Sequence, residues 1–365
     1  MAGPATTKVT HYQVQKSRRA ALIDEWRGYQ KTVMRLGDLR METTSPGVLR
    51  GVYTGMDGDR PTRSMDAHVH ELEPGAVTAI NRHSWDVMVL CVAGWGWAEI
   101  DGTHVDWGPG DCLHLPLWSW HRFGNSGDAP CRYLTFSAEP LMWTMGYSIY
   151  EEAGDTPVAE LPPRPVQSPG VHGGDPLARR RRRLADEQER RRSGRLHTSW
   201  DDLELLNTPR GTRTTFMLDR AIGYQASGMS MVMFEIGPGR GQSIHRHPGE
   251  AWLYVLEGNG YSFMGTEPGV GQTHPWGKGD LIVVDHFLWH AHHNADPAAT
   301  AKVVRVHMFD SLLETMRVLM DPVVLFEEPP DEIRDRQAGD PSAIDWPRLE
   351  RPTWQWSAES PGRPG

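Results

Sequence analysis

The feature that most constrains this chain is an internal repeat. In the first half His83, Asp86 and Gly94 are followed by Gly110, Asp111, Trp120, His121 and Asn125. In the second half the first three recur at an offset of 164 as His247, Glu250 and Gly258, and the other five at an offset of 169 as Gly279, Asp280, Trp289, His290 and Asn294. The run VMVLCVAG of the first copy corresponds to WLYVLEG of the second. A long self-similarity of this kind marks one structural unit used twice. The second copy has gained five residues between its two blocks, and the Gly- and Pro-rich stretch 265–277 is where the sequence accommodates them.

Each unit reads as a set of strands. From about residue 65, short apolar runs are cut by Gly, Pro, Asn and Asp, and 38 Gly with 28 Pro favour tight turns over long helices. The expectation is an all-β chain of two barrels with an N-terminal helix and a helical linker. Its parts are an N-terminal helical segment (1–50), a first barrel (51–155), a linker (156–205), a second barrel (206–326) and a C-terminal arm or disordered tail (327–365). The helix is expected over 17–36, where Leu22, Trp26 and Tyr29 fall at helical spacing. The linker joins LPPRPVQSPGVHGGDP to the arginine run Arg179 to Arg183. There Arg183/Glu187, Asp186/Arg190 and Glu187/Arg191 fall at i,i+4, the pattern of a solvated helix and not of a nucleic-acid site. Trp85, Trp95, Trp97, Trp107, Trp118 and Trp120 read as core and interface residues.

A net charge of −9 argues against broad attraction to nucleic acid or anionic membranes. Cys91, Cys112 and Cys131 form no Cys-x-x-Cys pair and indicate neither a disulfide framework nor structural zinc. The N-terminus has no apolar signal core, and nowhere do about 18 apolar residues run together. The expectation is a cytoplasmic protein, a homodimer or homotetramer, whose partners are a small-molecule substrate and, by the chemistry below, O2.

Histidines carry the chemistry. His245 and His247 stand two apart in a strand-like run and share one face. A later strand brings His290 and His292, and hydrogen-bonded neighbouring strands can set a third imidazole beside the first pair. Three neutral nitrogens suit Fe(II), Mn, Ni, Cu or Zn and leave coordination places open. In the first copy Asn81 replaces the first histidine, leaving His83 and His121; Asn is a poor ligand for transition metals, so this barrel is expected to have lost its metal.

These residues resemble the cupin superfamily. Gly239, His245, His247 and Gly258 match its first motif, and Gly279, His290 and Asn294 its second, within repeats at about 65–140 and 225–310. The resemblance implies two double-stranded β-helix (jelly-roll) barrels. Many cupins place a glutamate ligand where this chain has Ala251; Glu250 lies one residue off and reaches the metal only if Pro248 and Gly249 bulge the strand. Three histidines, His245, His247 and His290, are therefore the expected metal shell. HRHPGEAWLYVLEG and LWHAHHN are similar to the gentisate, salicylate and 1-hydroxy-2-naphthoate dioxygenase group, although there the complete motif lies in the first barrel. That resemblance implies an Fe(II)-dependent, O2-using, ring-cleaving dioxygenase acting on a hydroxylated aromatic carboxylate. The group's arginine after the HRH motif corresponds to Leu253, so Arg305 or Arg240 is the candidate replacement, and His292 the candidate proton donor. The competing readings are a non-catalytic ligand-binding bicupin and an O2-independent isomerase or decarboxylase.

Overall fold

The computed structural model describes residues 10–27, 31–58, 60–62, 64–163, 176–192, 194–208, 210–226, 228–247, 249–267, 269–285 and 288–308. They form two barrels of antiparallel strands. In the first, a seven-stranded sheet holds, from its middle to one edge, the strands Val87–Ala93, Cys131–Ser137, Asp66–Leu72, Val48–Thr54 and Glu42–Ser45. It faces a five-stranded sheet that contains Ile80–His83, His121–Gly124 and Gly96–Ile100. The second barrel repeats this with a seven-stranded sheet around Ala251–Glu257, Ala301–His307 and Ser230–Ile236, facing a three-stranded sheet of Val270–Gly277, Asn259–Glu267 and Trp289–Asn294. The five extra residues lengthen one hairpin: Asn259–Glu267 and Val270–Gly277 stand where the first barrel has Gly96–Ile100 and Thr103–Trp107.

The repeated residues earn their places by the same backbone work in both copies. Asn125 donates from Nδ2 to the carbonyls of Leu72 (2.8 Å) and Ala129 (2.9 Å), and Asn294 does so to those of Ile236 (3.0 Å), Gly237 (3.2 Å) and Ala299 (2.7 Å). Asp111 and Asp280 each accept from the backbone N–H three residues back, Gly108 (3.0 Å) and Gly277 (2.9 Å), closing equivalent turns. Gly94 (φ 71°) and Gly258 (φ 91°) are required on two counts, since an added Cβ would also lie 2.7 Å from Cys131 Cα and 2.9 Å from Ala301 Cα.

Each barrel borrows a strand from the segment leading to the other. Val33–Met34 pairs with Leu281–Val284 of the second barrel, and His197–Thr198 pairs with Cys112–Leu115 of the first. One apolar cluster spans the join, with Met88, Leu90 and Trp107 from one side and Trp252, Tyr254 and Val306 from the other. Polar contacts that cross it include the buried Arg60–Asp285 ion pair, Tyr53 Oη to the Gly279 carbonyl (2.6 Å), Ser64 Oγ to Glu250 Oε2 (2.9 Å) and Cys112 Sγ to the Met217 carbonyl (3.2 Å).

The N-terminal helix differs from its expected span. It runs His11–Arg27, started by Thr10, whose Oγ1 accepts from Gln13 N–H (3.3 Å) while Gln13 Oε1 accepts from Thr10 N–H (2.8 Å), a capping box. Residues 33–34 leave the helix to complete the second barrel's sheet. Tyr29, the side chains of Leu22 and Trp26, and the tail 327–365 lie outside the described residues. The linker helix is Pro176–Arg192, largely exposed, with Arg190 paired to Glu187 at i,i+3 (2.7 Å). Of the six tryptophans, Trp85, Trp107 and Trp120 are buried, Trp97 and Trp118 half-buried, and Trp95 exposed, lying across Gly108 where a side chain would displace it. No described helix is long and apolar enough to cross a membrane.

Asn125→Ala and Asn294→Ala should each lower stability by about 2 kcal/mol, because buried carbonyls lose their donors. Scanning calorimetry should show a comparable fall in the thermal midpoint for both; an unchanged midpoint in either would deny the equivalence of the two turns.

Candidate metal centre

Two segments 45 residues apart meet because His245 and His290 are opposed residues that exchange both backbone hydrogen bonds, His245 N–H to the His290 carbonyl (3.1 Å) and His290 N–H to the His245 carbonyl (2.9 Å). Opposed residues of an antiparallel pair project to the same face. His247 joins them from two residues further on. The ring centroids lie 4.3 Å apart for His245/His290, 4.8 Å for His247/His290 and 6.0 Å for His245/His247, and one nitrogen from each ring falls within 4.8 Å of the others. All three are buried.

The backbone also sets the tautomers. His245 Nδ1–H donates to the Ser243 carbonyl (3.0 Å) and His290 Nδ1–H to the Leu288 carbonyl (2.8 Å), which leaves the Nε2 lone pair as the one available to a metal. Burial is the main cause that drives the His290 pKa down to about 4 and that of His245 well below the usual imidazole range. Nearby positive charge on Arg210 adds to both. The residues present thus fit a divalent transition metal: three clustered imidazoles, of which His245 and His290 are preoriented by the backbone and neutral at neutral pH. Among the described residues this is the one group of three or more such side chains close enough to hold an ion.

Glu250 is not part of it. Gly249 takes φ 78° and turns the chain, so the carboxylate reaches Ser64 of the first barrel. Burial there raises its pKa to about 7, with Ser64 and Arg60 acting in the opposite direction.

Around the triad the strand Ala301–His307 supplies what its neighbour Ala251–Glu257 lacks. Leu253 is paired with Arg305, and Ala251 with His307. Cross-strand partners share a face, here the one carrying Phe234, Leu253 and Val303 into the second barrel's interior. The Arg305 charge pushes down the pKa of both His290 and His292, and the His307 ring lies 4.8 Å from that of His247. Arg305 thus stands on the strand beside Leu253 with its charge felt at both histidines, whereas Arg240 sits in the turn after Ile236, its N–H bonded to the Gly237 carbonyl and its own carbonyl to Asn294. His292 is buried 5.6 Å from His290, ring to ring. Ser262 Oγ lies 2.7 Å from its Nδ1 and accepts from Trp276 Nε1–H (3.0 Å). The hydroxyl has one hydrogen to give and a second lone pair to receive, so it can hold either tautomer of His292 at Nδ1. Sequence reasoning missed His307 and Arg210. Alternation in AKVVRVH, which sets Arg305 and His307 on one face, was the available signal for the first; Arg210 precedes the barrel strands and carried none.

In the first barrel the same register opposes His121 to Asn81. His83 and His121 keep the geometry, with Nδ1–H donating to the Trp85 (2.8 Å) and Ser119 (2.9 Å) carbonyls and rings 4.8 Å apart edge to face, but the third imidazole is gone.

Residues 68–137 and 232–307 each match the Cupin domain family. The chain is 35% identical over 92 residues to a 5-aminosalicylate 1,2-dioxygenase of Comamonas sp., covering 25% of this chain and 23% of that one. It is 26% identical over 248 residues to a 1-hydroxy-2-naphthoate 1,2-dioxygenase of Nocardioides sp. (strain KP7), covering 64% and 60%. These alignments span under two thirds of either relative's length. The fold is that of a salicylate 1,2-dioxygenase from Pseudaminobacter salicylatoxidans, with a TM-score of 0.52 at 18% identity over 82% of this chain and 84% of that one.

Metal analysis should find close to one equivalent per chain, sharply reduced by His245→Ala, His247→Ala or His290→Ala and nearly unchanged by Glu250→Gln or His83→Ala; loss of metal in the Glu250 variant would return that carboxylate to the shell. Acid should also destabilise the fold. Burial holds the folded pKa values of His70 and His83 at about 3 and that of His121 at about 4, against an ordinary value of 6.5. The unfolded chain therefore binds protons that the folded one refuses. Stability is fully present above pH 6.5 and falls on acidification toward 4, by about 1.4 kcal/mol per pH unit for each such histidine at the limit. Urea midpoints at pH 7 and pH 5 measure this, and equal midpoints would contradict it.

Proposed function

The chain is a bicupin, carrying two cupin domains, and on that premise we propose that its second domain is a ring-cleaving dioxygenase centre that uses Fe(II) and O2 on a hydroxylated aromatic carboxylate. The observation that carries this reading is the composition of the second barrel's interior: three neutral imidazoles, no carboxylate among them, and Arg305 on the facing wall. A divalent ion held by neutral ligands keeps its full charge, and with Arg305 beside it the cavity favours an anion with adjacent oxygens, as a hydroxy-carboxylate offers. Fe(II) in that place supplies the redox chemistry that O2 requires and a centre to which such a substrate can chelate. The names of the two curated relatives support the same class of substrate.

The chain's own residues then have separate tasks. Arg305 holds the substrate carboxylate through charge-assisted hydrogen bonds. His292, held through Nδ1 by Ser262, donates from Nε2–H to an oxygen that gains negative charge during ring opening, in the tautomer whose Nδ1 accepts from the Ser262 hydroxyl. Phe234, Leu253, Met264, Ile282 and Val284 form an apolar wall that excludes water and accommodates the ring. Glu250, bonded to Ser64, anchors the loop after the HRH motif to the first barrel and leaves the metal shell uncharged.

With iron-loaded protein, an oxygen electrode and a panel of salicylates, gentisates and related hydroxy acids, the expected result is stoichiometric O2 uptake with loss of the aromatic absorbance. Arg305→Gln should raise KM about 10- to 100-fold with metal content unchanged, and His292→Ala should lower kcat by about 10²- to 10⁴-fold. Turnover that proceeds equally under argon would overturn the reading.

A further inference from the structure

The first barrel has lost a metal ligand but not its cavity. A space of about 390 Å³ lies between its two sheets, within the size range of small-molecule pockets. The seven-stranded sheet contributes Arg50, His68, His70 and Tyr133, and the five-stranded sheet Asn81, His83, His121 and Phe123. A barrel retained only for packing would fill this volume with apolar side chains, as close-packed interiors do. Here it is lined by polar groups that must be desolvated instead.

Arg50 decides the kind of ligand. Its guanidinium donates from one terminal nitrogen to His68 Nε2 (3.3 Å), a neutral acceptor, and its buried Nε has no hydrogen-bond partner. Among the described residues it forms no ion pair. Two acids feel its charge, Asp66 and Glu139, and burial raises the pKa of both against that charge, that of Asp66 to about 7. Glu152, which also lines the cavity, is an exposed residue that accepts from Tyr150 Oη (3.0 Å). A half-buried cation with an unused donor and no carboxylate in ion-pair contact among the described residues is a receptor for an anion. The remaining walls are aromatic: Phe123 stacks on Tyr133 (centroids 4.5 Å), Tyr133 on His70 (4.8 Å) and Trp85 on His83 (4.6 Å). His83 and His121, both with Nδ1–H tied to backbone carbonyls, keep Nε2 for a ligand hydroxyl.

We propose that the first barrel is a metal-free binding site for a small aromatic carboxylate, with Arg50 on the carboxylate, Phe123 and Tyr133 against the ring, and His83 and His121 accepting from a ring hydroxyl. The site involves no bond making or breaking. It goes beyond the metal-dependent reading of the second barrel and stands on different residues, so the two can fail separately.

Equilibrium dialysis of salicylate against the full-length, metal-loaded chain under argon counts both sites. Wild type should take up two equivalents. Arg50→Gln should lose one while keeping the equivalent that Arg305→Gln removes, and Ala79→Phe, which narrows the first cavity without touching Arg50, should lose the same one as Arg50→Gln. Circular dichroism establishes that each variant is folded. Two equivalents in Arg50→Gln and Ala79→Phe, or a wild-type uptake that Arg305→Gln alone abolishes, would overturn the first-barrel site. Uptake insensitive to Arg305→Gln but halved by Arg50→Gln would support it and count against the carboxylate role of Arg305. A second metal equivalent per chain, removed by His121→Ala, would overturn the metal-free assignment.

Discussion

The centre depends on one backbone event, the antiparallel pairing of His245 with His290. Their two reciprocal hydrogen bonds fix the separation of the strands, direct both side chains to one face and leave the carbonyls of Ser243 and Leu288 to hold the rings. A slip of one residue would send both imidazoles to the opposite face. The register is held from both ends: Asn294 binds the chain after the second histidine strand, and Gly249 turns the chain after the first. The first barrel keeps the same pairing at Asn81 and His121, so one substitution at a fixed register separates a three-imidazole face from a two-imidazole one.

The barrels support one another through a join that is apolar at its centre and polar at the second barrel's site. The Arg60–Asp285 pair and the Ser64–Glu250 bond both end on segments that flank the histidines. Breaking a buried pair of this kind leaves a charge uncompensated, typically at a cost of about 3–5 kcal/mol. The first barrel therefore contributes to the site's loop geometry whatever it binds itself. The reciprocal strands Val33–Met34 and His197–Thr198 tie the same two bodies at their sheet edges, which also covers edges that would otherwise invite pairing with other chains.

Much of this was legible in the sequence because repeats and two-residue spacing translate directly into strands and faces. The two barrels, the lengthened hairpin, the histidine triad and the loss of a ligand at Asn81 all follow from comparing the copies. Where strand pairing decides a neighbour, the linear pattern falls short. Spacing names Arg305 and Arg240 alike as arginines near the motif; only the register shows that Arg305 stands beside Leu253 while Arg240 lies in a turn. The role of Glu250 rests on a single backbone angle at Gly249 and on a serine 186 residues away, neither of which spacing reveals. The N-terminal helix begins earlier than its apolar spacing indicates, at a capping box of Thr10 and Gln13, and Val33 and Met34 take their structure from a partner strand far along the chain.

The second barrel is proposed to hold one metal through imidazole alone. Anomalous diffraction at the iron edge from iron-loaded crystals tests that most directly. A single peak within coordination distance of the Nε2 atoms of His245, His247 and His290, and of no carboxylate, is the expected result; a peak between His83 and His121, or one ligated by Glu250, would contradict it.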